Sequence, residues 1–100
     1  MSSYAETLRE HARLAILRLL EDAPKYTSNL SMMTTLLHGV GIAFTRDQAA
    51  GELKWLAEQG LLTTQEPTPG FIVATATVRG VEVAQGIATY PGVTRPRPGA

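Results

Sequence analysis

The chain has 100 residues, with nine Lys or Arg against nine Asp or Glu and no cysteine. That length suits one small domain with a modest core, and the missing cysteine excludes disulfides, thiolate metal sites and a thiol nucleophile. A formal net charge of +0 and a pI near 6.7 exclude the overall Lys/Arg surplus of a strong phosphate binder, but not a basic face on a neutral whole.

The opening MSSYAETLREH mixes polar, acidic and basic residues, unlike a signal peptide, and no apolar run approaches a membrane span. A cytoplasmic protein with no membrane partner is the expectation. The pattern predicts a first helix from about Ser3 to Asp22, with Ser3 and Glu6 as a capping box. Pro24 closes it. Leu8, Ala12, Ala15, Ile16 and Leu19 form its main apolar face. Leu14 and Leu17 fall outside that stripe, which leaves dimer packing and burial under the C-terminal segment both open.

Tyr26 to Thr45 contains no Asp, Glu, Lys or Arg. Ser28 or Asn29 can cap a second helix through Leu30, Met33, Leu36 and Leu37, ending near Gly39 and Gly41. The connection HGVGIAF exceeds the short turn of a minimal helix-turn-helix, with Ile42 and Phe44 expected to pin it to the core.

The third helix carries the firmest local signals. Thr45 and Gln48 form a capping box, and Phe44 and Ala49 occupy the positions of a hydrophobic staple. Gly60 suits the left-handed residue after the helix, with Leu61 packing on Leu56 in a Schellman ending. Ala49, Leu53, Leu56 and Ala57 share a core stripe, while Asp47, Gly51, Lys54 and Glu58 project the other way. Gly51 costs about 1 kcal/mol relative to Ala in a helix interior. Either a DNA backbone or partner helix approaches it closely, or it is a tolerated surface residue. Trp55, at the edge of the stripe, fits half-buried packing under the following hairpin better than a stacking role.

Leu61 to Gln65 and Phe71 to Thr75 read as strands, with Glu66 to Gly70 as the tip between them. Thr77 caps a last helix holding Val78, Val81 and Ala84, which Gly86 terminates. From Ala88 the composition changes to ATYPGVTRPRPGA, and Pro91, Pro96 and Pro98 favour an extended polyproline-type arm. The division is therefore a domain over 1–87 and a proline-rich tail over 88–100, with Arg79, Arg95 and Arg97 giving this end a mild basic character. The fold class is mainly α with a small β-hairpin, an α+β arrangement of a three-helix core, a wing and a short last helix.

No catalytic constellation emerges, so a non-enzymatic role is the expectation. His11 and His38 sit on different predicted helices without a carboxylate cluster, and no nucleophile pairs with a base. Gly39 and Gly41 match no phosphate-binding loop. Neither a cofactor nor a metal nor a small-molecule ligand is marked.

The set ARLAILRLLEDAP, ELKWLAEQGLL and TATVRGVEVAQG resembles the winged-helix superfamily of small bacterial regulators. The Leu-x-x-Leu-x-x-x-Gly-Leu phrase is Leu53, Leu56, Gly60 and Leu61, and the Thr-x-x-Gly step is Thr77 and Gly80. The whole pattern, tail included, is similar to small proteins encoded in Mu-like transposable prophages. The resemblance implies a homodimeric regulator or accessory factor that binds double-stranded DNA. Its reading-helix positions are Thr45, Arg46, Asp47, Gln48, Gly51 and Lys54, with Arg46 suited to guanine, Gln48 to adenine and Lys54 to phosphate. Ser28 and Asn29 would offer backbone N–H groups to a phosphate. The chain departs from those regulators in its wing, QEPTPG, which carries Glu66 and no cation. Glu52 and Glu58 also offset Arg46 and Lys54. These departures support the alternative, a winged-helix protein–protein interaction module that does not bind DNA.

Overall fold

The computed structural model describes residues 3–97. Along them run α1 (Tyr4–Asp22), a 3-10 turn (Pro24–Tyr26), β1 (Thr27–Asn29), α2 (Leu30–Gly39), α3 (Arg46–Glu58), β2 (Leu62–Thr68), β3 (Phe71–Ala76) and α4 (Val78–Gln85). The class is α+β, with helices packed beside an antiparallel sheet of order β1-β3-β2.

The helix ends are formed by local chemistry. Ser3 accepts from the Glu6 N–H at the start of α1, and Ala23 with Pro24 ends it. At α3 the full capping box forms: Thr45 Oγ1 accepts from the Gln48 N–H at 3.1 Å, and Gln48 Oε1 accepts from the Thr45 N–H at 2.8 Å. Phe44 and Ala49 are both buried beside it. The far end of α3 is a Schellman motif, with Gly60 at φ +76°, Leu61 N–H donating to Leu56 and Gly60 N–H to Ala57.

The core joins Ile16, Leu17 and Leu20 of α1 to Met33, Leu37, Leu53 and Leu56. Leu17 is buried because α4 lies against α1, so burial rather than an exposed stripe accounts for it. The Thr-x-x-Gly step has a physical cause. Thr77 Oγ1 accepts from the Gly80 N–H and donates to the Gly60 carbonyl, while Thr77 N–H donates to the Leu61 carbonyl. A Cβ on Gly80 would run into that same Leu61 carbonyl, so the missing side chain is what seats α4.

Several expectations are corrected. The sheet has three strands rather than two, because Thr27 to Asn29 pairs with Thr75, Ala74 and Val73 of β3. Ser28 is therefore a strand residue, and Asn29 alone caps α2, accepting from the Met32 N–H. The tip is tighter than Glu66 to Gly70, since β2 continues to Thr68 through a register shift after Gln65. On α4 the buried residues are Gly80, Val83 and Ala84, and Val78 faces solvent.

The C-terminal segment is not a free arm over its described part. Residues 88–97 turn at Pro91–Val93, where Gly92 takes φ +93°, and fold back on α1 and α3. The Thr94 N–H donates to the Glu10 carbonyl. Pro98 and the rest of the expected arm lie outside the described residues.

Candidate nucleic-acid interface

Three elements meet at one end of the molecule: the start of α2, the start of α3 and the β2–β3 tip. Arg46 joins them. Its Nη1 donates to Ser31 Oγ at 2.8 Å and its Nη2 to the Gly70 carbonyl at 2.6 Å. Glu66 Oε2 in turn accepts from the Gly70 N–H at 2.8 Å, which folds the acidic side chain onto the tip. Ser31, in the first turn of α2, is thus the acceptor that steadies Arg46. A guanidinium has five donors in a planar fork, and this one, on an exposed residue, uses two among the described residues.

The other sequence-derived positions divide by what their atoms already do. Gln48 commits its Oε1 to the cap. Thr45 commits its hydroxyl to the same box. Asp47, in the first turn of α3, is exposed and complements the helix dipole. Gly51 and Lys54 are exposed one turn apart, and a Cβ on Gly51 would meet nothing within 4 Å. Asn29 spends its side chain on the Met32 N–H, and Ser28 lies half-buried in β1. The structure brings Asn29, Thr45, Arg46 and Gly70 to one end, and carries Gly51 and Lys54 along the adjoining face of α3.

Glu52 does not offset that face. It is buried, at 7% exposure, and turned toward α1, where Oε1 accepts from Arg13 Nε at 2.7 Å. The exposed charges of α3 are then Arg46, Asp47, Lys54 and Glu58, two of each sign. Between α3 and the hairpin runs a groove of about 420 Å³, with Ala50, Gly51, Ala57 and Ile72 along it and Lys54 and Glu66 among its polar residues.

Uncharacterized protein gp26 of Escherichia phage Mu is 44% identical to this chain over 95 residues, which is 95% of the chain and 97% of that protein. The chain belongs to the family of Mu gp26. An uncharacterized protein of Haemophilus influenzae is 38% identical over 77 residues, 77% of the chain and 74% of that protein. No family model matches the chain, and no solved structure matches it. The likeness to a phage Mu protein thus rests on nearly the whole length of the chain.

The C-terminal turn supplies the part of the fold that the sequence pattern conceals. Trp55 is not under the hairpin but under residues 90–93. The Arg13 guanidinium lies 3.9 Å from the Trp55 ring centroid, and Tyr90 meets the same ring edge-on at 6.0 Å. Arg13 Nη1 donates to the Gly92 carbonyl at 2.9 Å, and Tyr90 donates to Gln59 Oε1. A Cβ on Gly92 would stand 2.9 Å from the Trp55 ring, so only glycine permits this approach. Arg13 therefore ties α1, α3 and the C-terminal turn together behind the exposed face of α3. His11 is on the surface, and His38 Nε2 donates to the Phe44 carbonyl at 2.7 Å, closing the α2–α3 loop. Among the described residues no group of three His, Cys, Asp or Glu is placed to hold a metal, and no helix is long and apolar enough to cross a membrane.

Proposed function

We propose that the chain is a winged-helix protein that engages double-stranded DNA as a homodimer, in the service of transposable-phage gene regulation or as an accessory factor. The order α1–β1–α2–α3–β2–β3, with β3 between β1 and β2, supports the winged-helix reading. The observation that carries the DNA reading is Arg46. It is an exposed cation held where the α2 N-terminus, the α3 N-terminus and the hairpin tip converge. A guanidinium fixed in position loses less side-chain entropy on meeting an anion than a free one.

The geometry also reassigns roles within this reading. Arg46, tied on both sides, suits a phosphate better than a guanine edge, and Gln48 is occupied by its cap. Asp47, Gly51 and Lys54 remain as the exposed positions of α3 offered to the duplex, with Gly51 admitting close approach. Two exposed cations against two carboxylates make affinity weak for one copy, and a dimer doubles the contacts.

Gel shift on duplex DNA flanking the chain's own gene, repeated across salt concentrations, tests this. Binding that weakens with salt, and a loss of about tenfold with a shallower salt slope for Arg46→Ala, is the expected result. No complex at low salt contradicts it. The second reading, a protein–protein interaction module, is favoured by a hairpin whose one charged residue is Glu66 and by the groove along Ala50, Gly51 and Ile72. An unaltered Arg46→Ala complex with protein, alongside absent DNA binding, would favour it.

A further inference from the structure

α2 carries an apolar stripe that the described residues leave partly exposed. Met32, Leu36 and its C-cap Val40 recur at four-residue spacing, 50%, 36% and 58% exposed. Four-residue spacing puts them on one side of the helix. Val40 also lines a groove of about 430 Å³ against α1, where Leu14, Ala15 and Leu19 are apolar and Arg18 and Asp22 are exposed. We infer that this face, the α2 stripe together with the α1 groove, is where a second copy of the chain docks.

Two features commit the face to a second copy. First, a protruding stripe and a receiving groove lie side by side and share Val40. A two-fold axis beside Val40 sets each stripe in the other copy's groove, so both halves are filled by one operation, the condition of an isologous interface. Second, the charges match themselves. The segment Tyr26 to Thr45 holds no formal charge, so the stripe desolvates none. The groove adds one Arg and one Asp a helical turn apart, a balanced pair that two copies related by a two-fold axis can present to each other in opposite order. A nucleic acid or a strongly charged partner finds no complement there.

The inference deepens the homodimer part of the function proposed above, and rests on that part rather than on DNA binding. The two surfaces adjoin at the start of α2 and diverge along it: at 3.6 residues per turn, Met32 lies about 100° and Leu36 about 140° around the helix from Ser31, which holds Arg46. A dimer through this face leaves the Arg46 end open.

Light scattering on the eluting full-length protein, without DNA, tests the inference. The wild type is expected at twice the 10.8 kDa chain mass. Val40→Glu and Met32→Glu, at exposed positions, each raise the dimer dissociation constant by about tenfold or more and shift the mass toward one chain, with helix content by circular dichroism unchanged. Val78→Glu, on the 79% exposed α4 residue, leaves the dimer intact. A monomeric wild type overturns the inference, and so does a dimer that survives both α2 substitutions. Failure of DNA binding in the gel shift leaves this mass measurement untouched, so the two proposals fall separately.

Discussion

Two glycines in helices separate packing from propensity. Gly80 sits where a Cβ would strike the Leu61 backbone, with the Leu17 side chain at 3.3 Å beyond it. Gly51 has open space on the same test. Gly80→Ala is expected to cost about 3 kcal/mol or to prevent α4 from docking, the upper end of overpacking penalties. Gly51→Ala is expected to stabilise by about 0.5–1 kcal/mol, the helix-interior difference between the two residues. Urea unfolding measures both, and equal effects would contradict the account. Gly51→Ala adds a second reading, because a variant that is more stable yet binds DNA less tightly marks a surface kept bare for approach. Arg46 belongs to the same scale. Its partners Ser31 and Gly70 are 15 and 24 residues away, so its orientation is a product of the fold.

At the scale of elements, α3 is braced from behind by the C-terminal turn. Arg13, Glu52, Trp55, Tyr90 and Gly92 form one connected set in which a part-buried ion pair, a cation–π contact and an edge-on aromatic contact share members. Ending the chain after Ile87 removes Tyr90 and Gly92 and leaves Trp55 uncovered. Because Trp55 is the single tryptophan, its emission is expected to shift to longer wavelength while α-helical circular dichroism is largely kept. Emission identical to that of the full chain would contradict the packing described. The elements also divide by how much of them is written locally. Both ends of α3, the cap of α4 and the end of α1 follow from residues within six positions of one another, and the pattern reveals them. β1 is three residues, Thr27 to Asn29, with no alternation of its own, and is a strand because β3 offers it an edge. The burial of Glu52 depends on an arginine 39 residues away, and the C-terminal turn on contacts spanning 79 residues. A proline-rich composition suggests an extended arm, and the Arg13 and Trp55 contacts override it. The candidate site was legible as an exposed face of α3, whereas the tie between Arg46 and the hairpin tip was not.

For the whole molecule, net charge is zero and its placement decides function. One end gathers the starts of α2 and α3 with Arg46, the side bearing α2's stripe is apolar, and the C-terminal turn seals the back of α3. Membership of the Mu gp26 family places the chain among phage-related proteins without assigning a ligand to that arrangement. The DNA reading rests on the Arg46 end, and the most direct measurement is a backbone amide NMR titration of the full chain with a short duplex at low salt. The largest shift changes are expected at Asn29–Ser31, Arg46–Lys54 and the tip around Gly70, reversed by added salt and diminished in Arg46→Ala. No changes at low salt, or changes confined to the Trp55 and Tyr90 side, would contradict it.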